Sequence, residues 1–542
     1  MNLHSRRRSQ VFRFAVVSAA AIFMSAAIPR PVVADVLDLI DSDIQSWRLD
    51  EARSRLDKLA KDTKSSPRGL FLAGRLLFFE GDLDKAENTL LRAVEQNREE
   101  TSWKQLRDRV LETKQAFHDT VPMPGKTGRF TYRLDPQMDE LLISRADEAL
   151  TRQFDYLTAL FGDSPKRPIE VAILSDAESL AAASGLSAEQ IERTGTVGIT
   201  KYGRILIISP RSLVSGYPWI DTLAHELTHF FVTRASRDRA PIWLHEGIAK
   251  LLESRWQSSE MQVLSPEEAY LLDRAVKEGR LIPLRRFYPS VAYLSNQEDA
   301  ALAYAQVLSF LRYLNERLQK DWIKRLISGL GQGSPIDATL KSLSGADLQR
   351  LYGWWRKDAS LRRHTPTPVV GMMKKKFKRG TVALQTDEES VHKLDVRKYL
   401  RVGDLLRLRG HLKAAAEEFE QARKTAQFTS PEISDRLGAT LIELGEFSRA
   451  EKLLLPMTEL YPFHAAGFVL SARAYTGLSE NMKAVAALLK ADAVNPFDPE
   501  IHCMAAGLYR ELGDMTASAL ENDRCRMAVS VQKGSENNAE KL

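Results

Sequence analysis

Apolar positions along the chain fall into three regimes. Over 36–100, and again from about 398 to 528, they recur at three- and four-residue intervals, the period of amphipathic helices. Between these regions the pattern is mixed. Residues 129–134 alternate as a strand does, while 169–174 and 204–209 are short apolar runs of strand length. Val197, Gly198 and Ile199 pair with the last run through a turn at Lys201-Tyr202-Gly203. Leu141, Leu142, Ala146, Leu150, Phe154, Leu157 and Leu160 predict a helix over 137–161. From Trp219 onward the spacing is mainly helical, including 299–318 and 346–357. A small sheet followed by helices is an α+β arrangement.

The helical ends also repeat. Ala52 and Leu56 recur as Ala86 and Leu90, an interval of 34 residues. In the C-terminal region Gly410, Gly445 and Gly513 mark turns, with Ser479 in the equivalent place. Ala415, Ala450 and Ala484 follow them, then Phe419, Leu454 and Leu488, while Leu441, Tyr475 and Tyr509 hold one position 34 residues apart. Pro462 and Pro496 close two units. A period of this length with small residues where helices cross resembles the tetratricopeptide repeat. The resemblance implies at most two repeats before the centre, four stacked hairpins after it, packing roles for these residues, and a surface for a protein partner.

The chemistry is concentrated in Thr222-Leu223-Ala224-His225-Glu226-Leu227-Thr228-His229, an H-E-x-x-H with Pro218 before it and Asp221 in its first turn. Four residues apart on a helix, His225 and His229 project from one face and can share a divalent metal, with Glu226 beside a water at the ion. Catalytic zinc takes three protein ligands, and the candidates for the third are Glu246 and His245. Arg237 to Pro241 turns the chain, and a second helix over 242–253 returns beside the first. Glu246 is favoured because Gly247 beside it allows close helix approach. Trp243 and Ile248 are then core, and His245 packs or supports the ligands from behind.

H-E-x-x-H followed by Trp243-Leu244-His245-Glu246-Gly247-Ile248-Ala249 resembles the gluzincin metallopeptidases and their peptidase MA-like domain. Ala303-Tyr304-Ala305-Gln306 and the segment from Gly333 to Leu340 are similar to that family as well. The resemblance, covering 126–360, implies a zincin-like fold and one Zn2+ held by His225, His229 and Glu246. It makes Glu226 the general base and Tyr304 a candidate oxyanion donor; packing alone would also explain Tyr304 and Tyr313. Two departures stand out. Lys250 occupies the place, four residues after the ligand Glu, where an acid orients a histidine, leaving Asp221 or Glu253 for that work. The Gly-x-Met-x-Asn segment of one aminopeptidase branch is absent, which favours cleavage within chains. Residues 204–209, as a cleft edge, would pair with an extended peptide.

Charge adds little. The net +6 arises at the start of the chain, where residues 1–34 hold five arginines and no acid; the rest carries 72 basic against 71 acidic residues. No global charge argument for nucleic acid remains. Arg6-Arg7-Arg8, the apolar run 14–28 and Val32-Val33-Ala34 read as an export signal cleaved after Ala34, an uncleaved anchor being the rival. Cys503 and Cys525 are the only cysteines and stand open between a disulfide and two thiols. The expected layout is a leader over 1–34, tetratricopeptide-like helices over 35–118, the metallopeptidase-like domain over 126–360, a basic and proline-containing connector over 361–394, a tetratricopeptide-like solenoid over 395–528 and an unordered tail over 529–542. The expected function is that of an exported zinc endopeptidase, periplasmic or extracellular, with no stable membrane span once the leader is gone. Its rivals are a non-catalytic scaffold and a hydrolase of amide bonds in non-peptide envelope polymers.

Overall fold

A computed structural model describes residues 35–362, 374–378, 394–426 and 428–539. The leader and most of the connector lie outside the described residues. Five strands form one sheet: β1 (Val121–Pro124), β2 (Phe130–Leu134), β3 (Ile169–Leu174), β4 (Gly198–Lys201) and β5 (Arg204–Ile208), in the order β1-β2-β3-β5-β4. β2, β3 and β5 run parallel, and the outer strands β1 and β4 are antiparallel to their neighbours. Every residue of β5 is buried, as its unbroken apolar run requires of an interior strand. β4 is the edge. Tyr202 and Gly203, both at positive φ (51° and 81°), make the two-residue turn that joins it to β5. The expectation that 204–209 borders the cleft is therefore corrected. A run apolar on both faces is covered on both sides, and the half-exposed β4 takes the outer place.

The motif helix, Trp219–Ser236, packs against β4 and β5 and against the helix Ile143–Phe161. Phe154 meets Phe231 edge-on at 5.3 Å. In the same layer the fully buried Gln153 donates from Nε2 to Thr228 Oγ1 and Leu252 O, each at 3.1 Å. One polar side chain thus ties the motif helix to the end of the helix Ile242–Leu252. Gly247 does give close approach, but to the helix Gln297–Asn315 rather than to the motif helix: a Cβ there would stand 2.9 Å from Leu311. Strand β1 and the helices Ala177–Ser184 and Ala188–Thr194 do not follow from apolar spacing.

Helical hairpins dock on both sides of this unit. Between Val36 and Ala116 all regular structure is helical, with Ala52, Leu56, Ala86 and Leu90 fully buried. Arg204, 1% exposed, donates to Phe78 O at 2.6 Å and pairs with Glu170 at 3.1 Å, fastening these helices to β5. From Leu394 on, four helical hairpins follow, and the turn residues Gly410, Gly445, Ser479 and Gly513 all adopt positive φ. Two of their contacts with the centre fall at the start of the motif helix: Tyr217 N donates to Val494 O at 3.0 Å and Trp219 Nε1 to Asp492 O at 3.2 Å. The final helix, Met515–Ala539, carries on through residues read from their polarity as a tail, because Val531 still finds a buried position. Among the described residues no helix is long and apolar enough to cross a membrane.

Cys503 and Cys525 form a disulfide across the last hairpin, with their Cα atoms 5.1 Å apart. Closing 22 residues of chain removes unfolded-state entropy worth about 3 kcal/mol. Replacing both cysteines by serine should lower the stability of this hairpin by that order in urea titrations followed by far-UV circular dichroism. Reductant should shift the wild-type curve and leave the variant unmoved.

Candidate metal centre

The motif helix carries His225 and His229 one turn apart, and the helix Ile242–Leu252 brings Glu246 opposite them. The two Nε2 atoms lie 3.1 Å apart. Glu246 Oε2 stands 3.4 Å from His225 Nε2 and 3.3 Å from His229 Nε2. Three lone-pair atoms thus form a nearly equilateral triangle. Glu246 Oε2 is buried and has no partner in hydrogen-bond geometry. A tetrahedral zinc with bonds of about 2.0–2.2 Å spaces its ligands roughly 3.3–3.5 Å apart, so the triangle fits one face of such a site. Glu226 joins His225 and His229 in a group whose ligand atoms lie within 4.8 Å of one another.

His225 is oriented from behind. Its Nδ1 lies 3.2 Å from Glu253 Oε2, an acceptor, which puts a proton on Nδ1 and frees Nε2 for the triangle. Glu253 also receives Lys250 at 2.7 Å, and Lys250 reaches Glu268 at 3.3 Å. The lysine found where an acid was expected thus braces the acid that does the work. Asp221, the other candidate for that work, instead accepts from Trp256 Nε1 at 2.8 Å. His245 is buried with its ring 5.7 Å from that of His229, outside the triangle.

β4 supplies what no motif announced. The Thr200 hydroxyl lies 2.9 Å from Glu226 Oε2 and 2.6 Å from the Glu226 carbonyl oxygen, so it can donate to either. Gly198 is needed beside it, since a Cβ there would come within 3.0 Å of Glu226 Oε1. Tyr304 faces the same cavity, of about 220 Å³, with its ring 5.9 Å from that of His225. Lys375, Lys250 and Phe463, the last from the C-terminal hairpins, line it too. Nothing in the sequence ties a connector lysine or a hairpin phenylalanine to residues far upstream. A larger cleft, about 960 Å³, opens beside Asp176, Arg211 and Phe497 and includes none of the histidines.

Protonation follows from this crowding. Burial raises Glu226, against the pull of His229, His225 and Thr200. Burial works the same way on Glu246, but His229 and His225 overcome it and hold the carboxyl well below the usual range. For His225 burial favours the neutral ring, yet contacts with Glu246 and Glu253 raise it to about 10. Burial takes His245 down to about 3. A cation is favoured inside the triangle, and in metal-free protein a second His225 proton, on Nε2, supplies it. Since the folded value lies above the unfolded one of about 6.5, this contribution to stability is complete below pH ~6.5 and fades as pH rises toward 10. Metal-free protein should therefore lose stability over that window in denaturant titrations at stepped pH. Glu253→Gln, which removes one charge holding the proton, should flatten the loss.

Residues 146–360 match the Peptidase MA superfamily and residues 67–100 the tetratricopeptide repeat. No curated protein matches the chain. Among solved structures, similarity is found to the tetratricopeptide protein TTC0263 of Thermus thermophilus (21% identity, 27% of this chain and 86% of that one, TM-score 0.23). It is found also to MamA from Desulfovibrio magneticus (20%, 27% and 86%, TM-score 0.24) and to the APC/C hetero-tetramer Cut9-Hcn1 (10%, 91% and 79%, TM-score 0.26). Scores this low support no conclusion about fold or partner. Residues 146–360, which hold the whole histidine–carboxylate triangle, thus carry a Peptidase MA superfamily domain, and a tetratricopeptide repeat precedes it.

Proposed function

We propose that the chain is an exported, zinc-dependent metallopeptidase of gluzincin type that cuts within peptide chains. Its centre is read as a zincin-like α+β domain between tetratricopeptide-like hairpins. The observation that carries this reading is the buried triangle of His225 Nε2, His229 Nε2 and Glu246 Oε2, with Glu226 close to both histidines. Glu226, Glu246 and Glu253 are buried against the paired cation Lys250, an excess of negative charge suited to a divalent ion.

Zinc, when bound by His225, His229 and Glu246, supplies Lewis acidity toward the scissile carbonyl and the attacking water. Glu226 takes a proton from that water as its oxygen bonds to the carbonyl carbon, then delivers it to the amide nitrogen as the C–N bond breaks. Thr200 steadies the Glu226 carboxylate for both transfers. Tyr304, whose phenol burial keeps protonated, faces the cavity as a donor for the developing oxyanion. The outer edge of β4 has no backbone partner among the described residues and offers an extended peptide a strand to pair with. The apolar leader at 14–28 and the Cys503–Cys525 disulfide both favour an oxidising, extracytoplasmic compartment. The hairpins offer a protein substrate or partner a surface.

The purified full chain should contain one zinc, measured by elemental analysis, and cleave a peptide library. Glu226→Gln should keep the metal and lose roughly 10³-fold in kcat. Glu246→Ala should lose the zinc and His245→Ala retain it. Protein without stoichiometric zinc would refute the enzyme reading. Zinc whose presence brings no Glu226-dependent cleavage would leave the scaffold reading, in which the hairpins alone do the work.

A further inference from the structure

The cavity beside the triangle has one wall that peptide hydrolysis itself leaves unused. It is Lys375, from the segment Lys374 to Lys378 within the stretch that the sequence pattern reads as a basic connector. Those five residues are instead held on two sides. Phe377 bridges Leu213, with Val214 N donating to Lys376 O at 2.9 Å and Lys378 N to Ser212 O at 2.8 Å. On the other side the Gln297 amide takes both main-chain groups of Lys375: Oε1 accepts from its N at 2.8 Å, and Nε2 donates to its O at 2.9 Å. Two bonds from one side chain fix the residue as a neighbouring strand would.

Lys374 and Lys378 on this segment point to solvent, while Lys375 is half-buried and lines the cavity that His225, Glu226 and Tyr304 also line. Its Nζ donates to Gly195 O at 3.0 Å. An ammonium has three donors, and among the described residues Lys375 forms no ion pair. Lys250 in the same cavity is different, being neutralised by Glu253 and Glu268. Burial, with repulsion from Lys250, brings the Lys375 ammonium down to about 8, still mostly charged at neutral pH. A lysine serving only to cover apolar surface would extend its head to water. This one is positioned inside the cavity with donors to spare, where a carboxylate would gain charge-assisted hydrogen bonds.

We propose that Lys375 determines specificity by holding a carboxylate of the bound peptide, from an Asp or Glu side chain or from the peptide's own C-terminus. The proposal rests on the peptidase reading and names the charge of the substrate that site takes. It also gives a reason for Gln297, which reaches Glu192 O as well, to grip both main-chain groups of this lysine.

The test uses the zinc-loaded full chain and matched peptides carrying Glu, Gln or Lys at one position, each with a free or an amidated C-terminus. Wild type should favour the carboxylate-bearing peptide by ~10- to 100-fold in kcat/KM, chiefly through KM. Loss of the preference on amidation alone assigns the carboxylate to the C-terminus, and its persistence assigns it to the side chain. Lys375→Met should erase the preference, Lys375→Arg keep it and Lys375→Glu turn it toward the Lys peptide, while the exposed control Lys374→Met changes nothing. A preference that survives in Lys375→Met overturns the proposal. So does a uniform gain on every peptide, which would mean that the segment merely obstructs the cavity. Fluorescence anisotropy of the same labelled peptides on Glu226→Gln protein separates this idea from the peptidase reading. If wild type cleaves nothing, tighter binding of the acidic peptide that disappears in the Glu226→Gln/Lys375→Met double variant still supports the proposal, and equal binding overturns it.

Discussion

Two imidazole nitrogens and a carboxylate oxygen, held within 3.4 Å of one another and away from water, repel unless a positive charge lies among them. The rest of the centre can be understood as the means of imposing that repulsion. His225 and His229 are fixed by one helix, which costs nothing extra because i and i+4 share a face. Glu246 must come from a second helix, and the approach of that helix is set by contacts that never touch the triangle. Gly247 lets it settle against Leu311, and Gln153 joins its last turn to Thr228 on the motif helix. Close packing of this kind is stiff. The three atoms cannot drift apart to relieve their repulsion, so the site must take up a cation, whether a shared proton or a metal.

The helical ends bear on the same elements. The N-terminal hairpins hold Arg204, at the start of the strand that pairs with β4, and the C-terminal hairpins hold Tyr217 and Trp219, at the start of the motif helix. Phe463 from the latter reaches the cavity itself. Neither end hangs from the centre as a separate bead. A partner bound to the C-terminal hairpins would act on a surface directly continuous with the cavity beside the triangle, which gives these helices a physical route to influence what enters it.

What the sequence made legible was whatever a short period or a short motif encodes. The helix that bears His225 and His229, the turn before the second helix, the strands at 130–134 and 169–174 and the small residues at hairpin crossings all follow from local spacing. The choice of Glu246 over His245 was legible in part, because a glycine beside it pointed to close approach, although the approach proved to be toward Leu311. The remainder depends on which segments meet in space. An apolar run does not reveal whether it is an interior or an edge strand, so the cleft edge was assigned to β5 and belongs to β4. Thr200 lies 26 residues from Glu226 and Lys375 lies 180 from Gly195, separations at which no periodicity carries information. The basic stretch is opaque for a related reason: its composition carries no sign that one of its lysines is held inward by a glutamine on another helix.

Lys250 shows how such a departure can be consistent with the function it would be expected to endanger. A metal-bound imidazole needs an acceptor at its other nitrogen, and a helix that already presents Glu246 to the site can offer one a turn or two further along the same face. Position i+4 is displaced by about 40° around the axis and i+7 by about 20° the other way, so both reach the same side. Here the acceptor has moved to the second of these places, Glu253, and the vacated place carries a lysine whose ammonium lies between Glu253 and Glu268. The exchange does more than restore the hydrogen bond. Three buried carboxylates facing two histidines would raise one another's proton affinity, and a protonated Glu253 could not accept from Nδ1. The lysine counters that tendency, keeping Glu253 ionised and the His225 proton on Nδ1. The substitution that looks most damaging in the sequence is thus the one that makes the displaced acid usable.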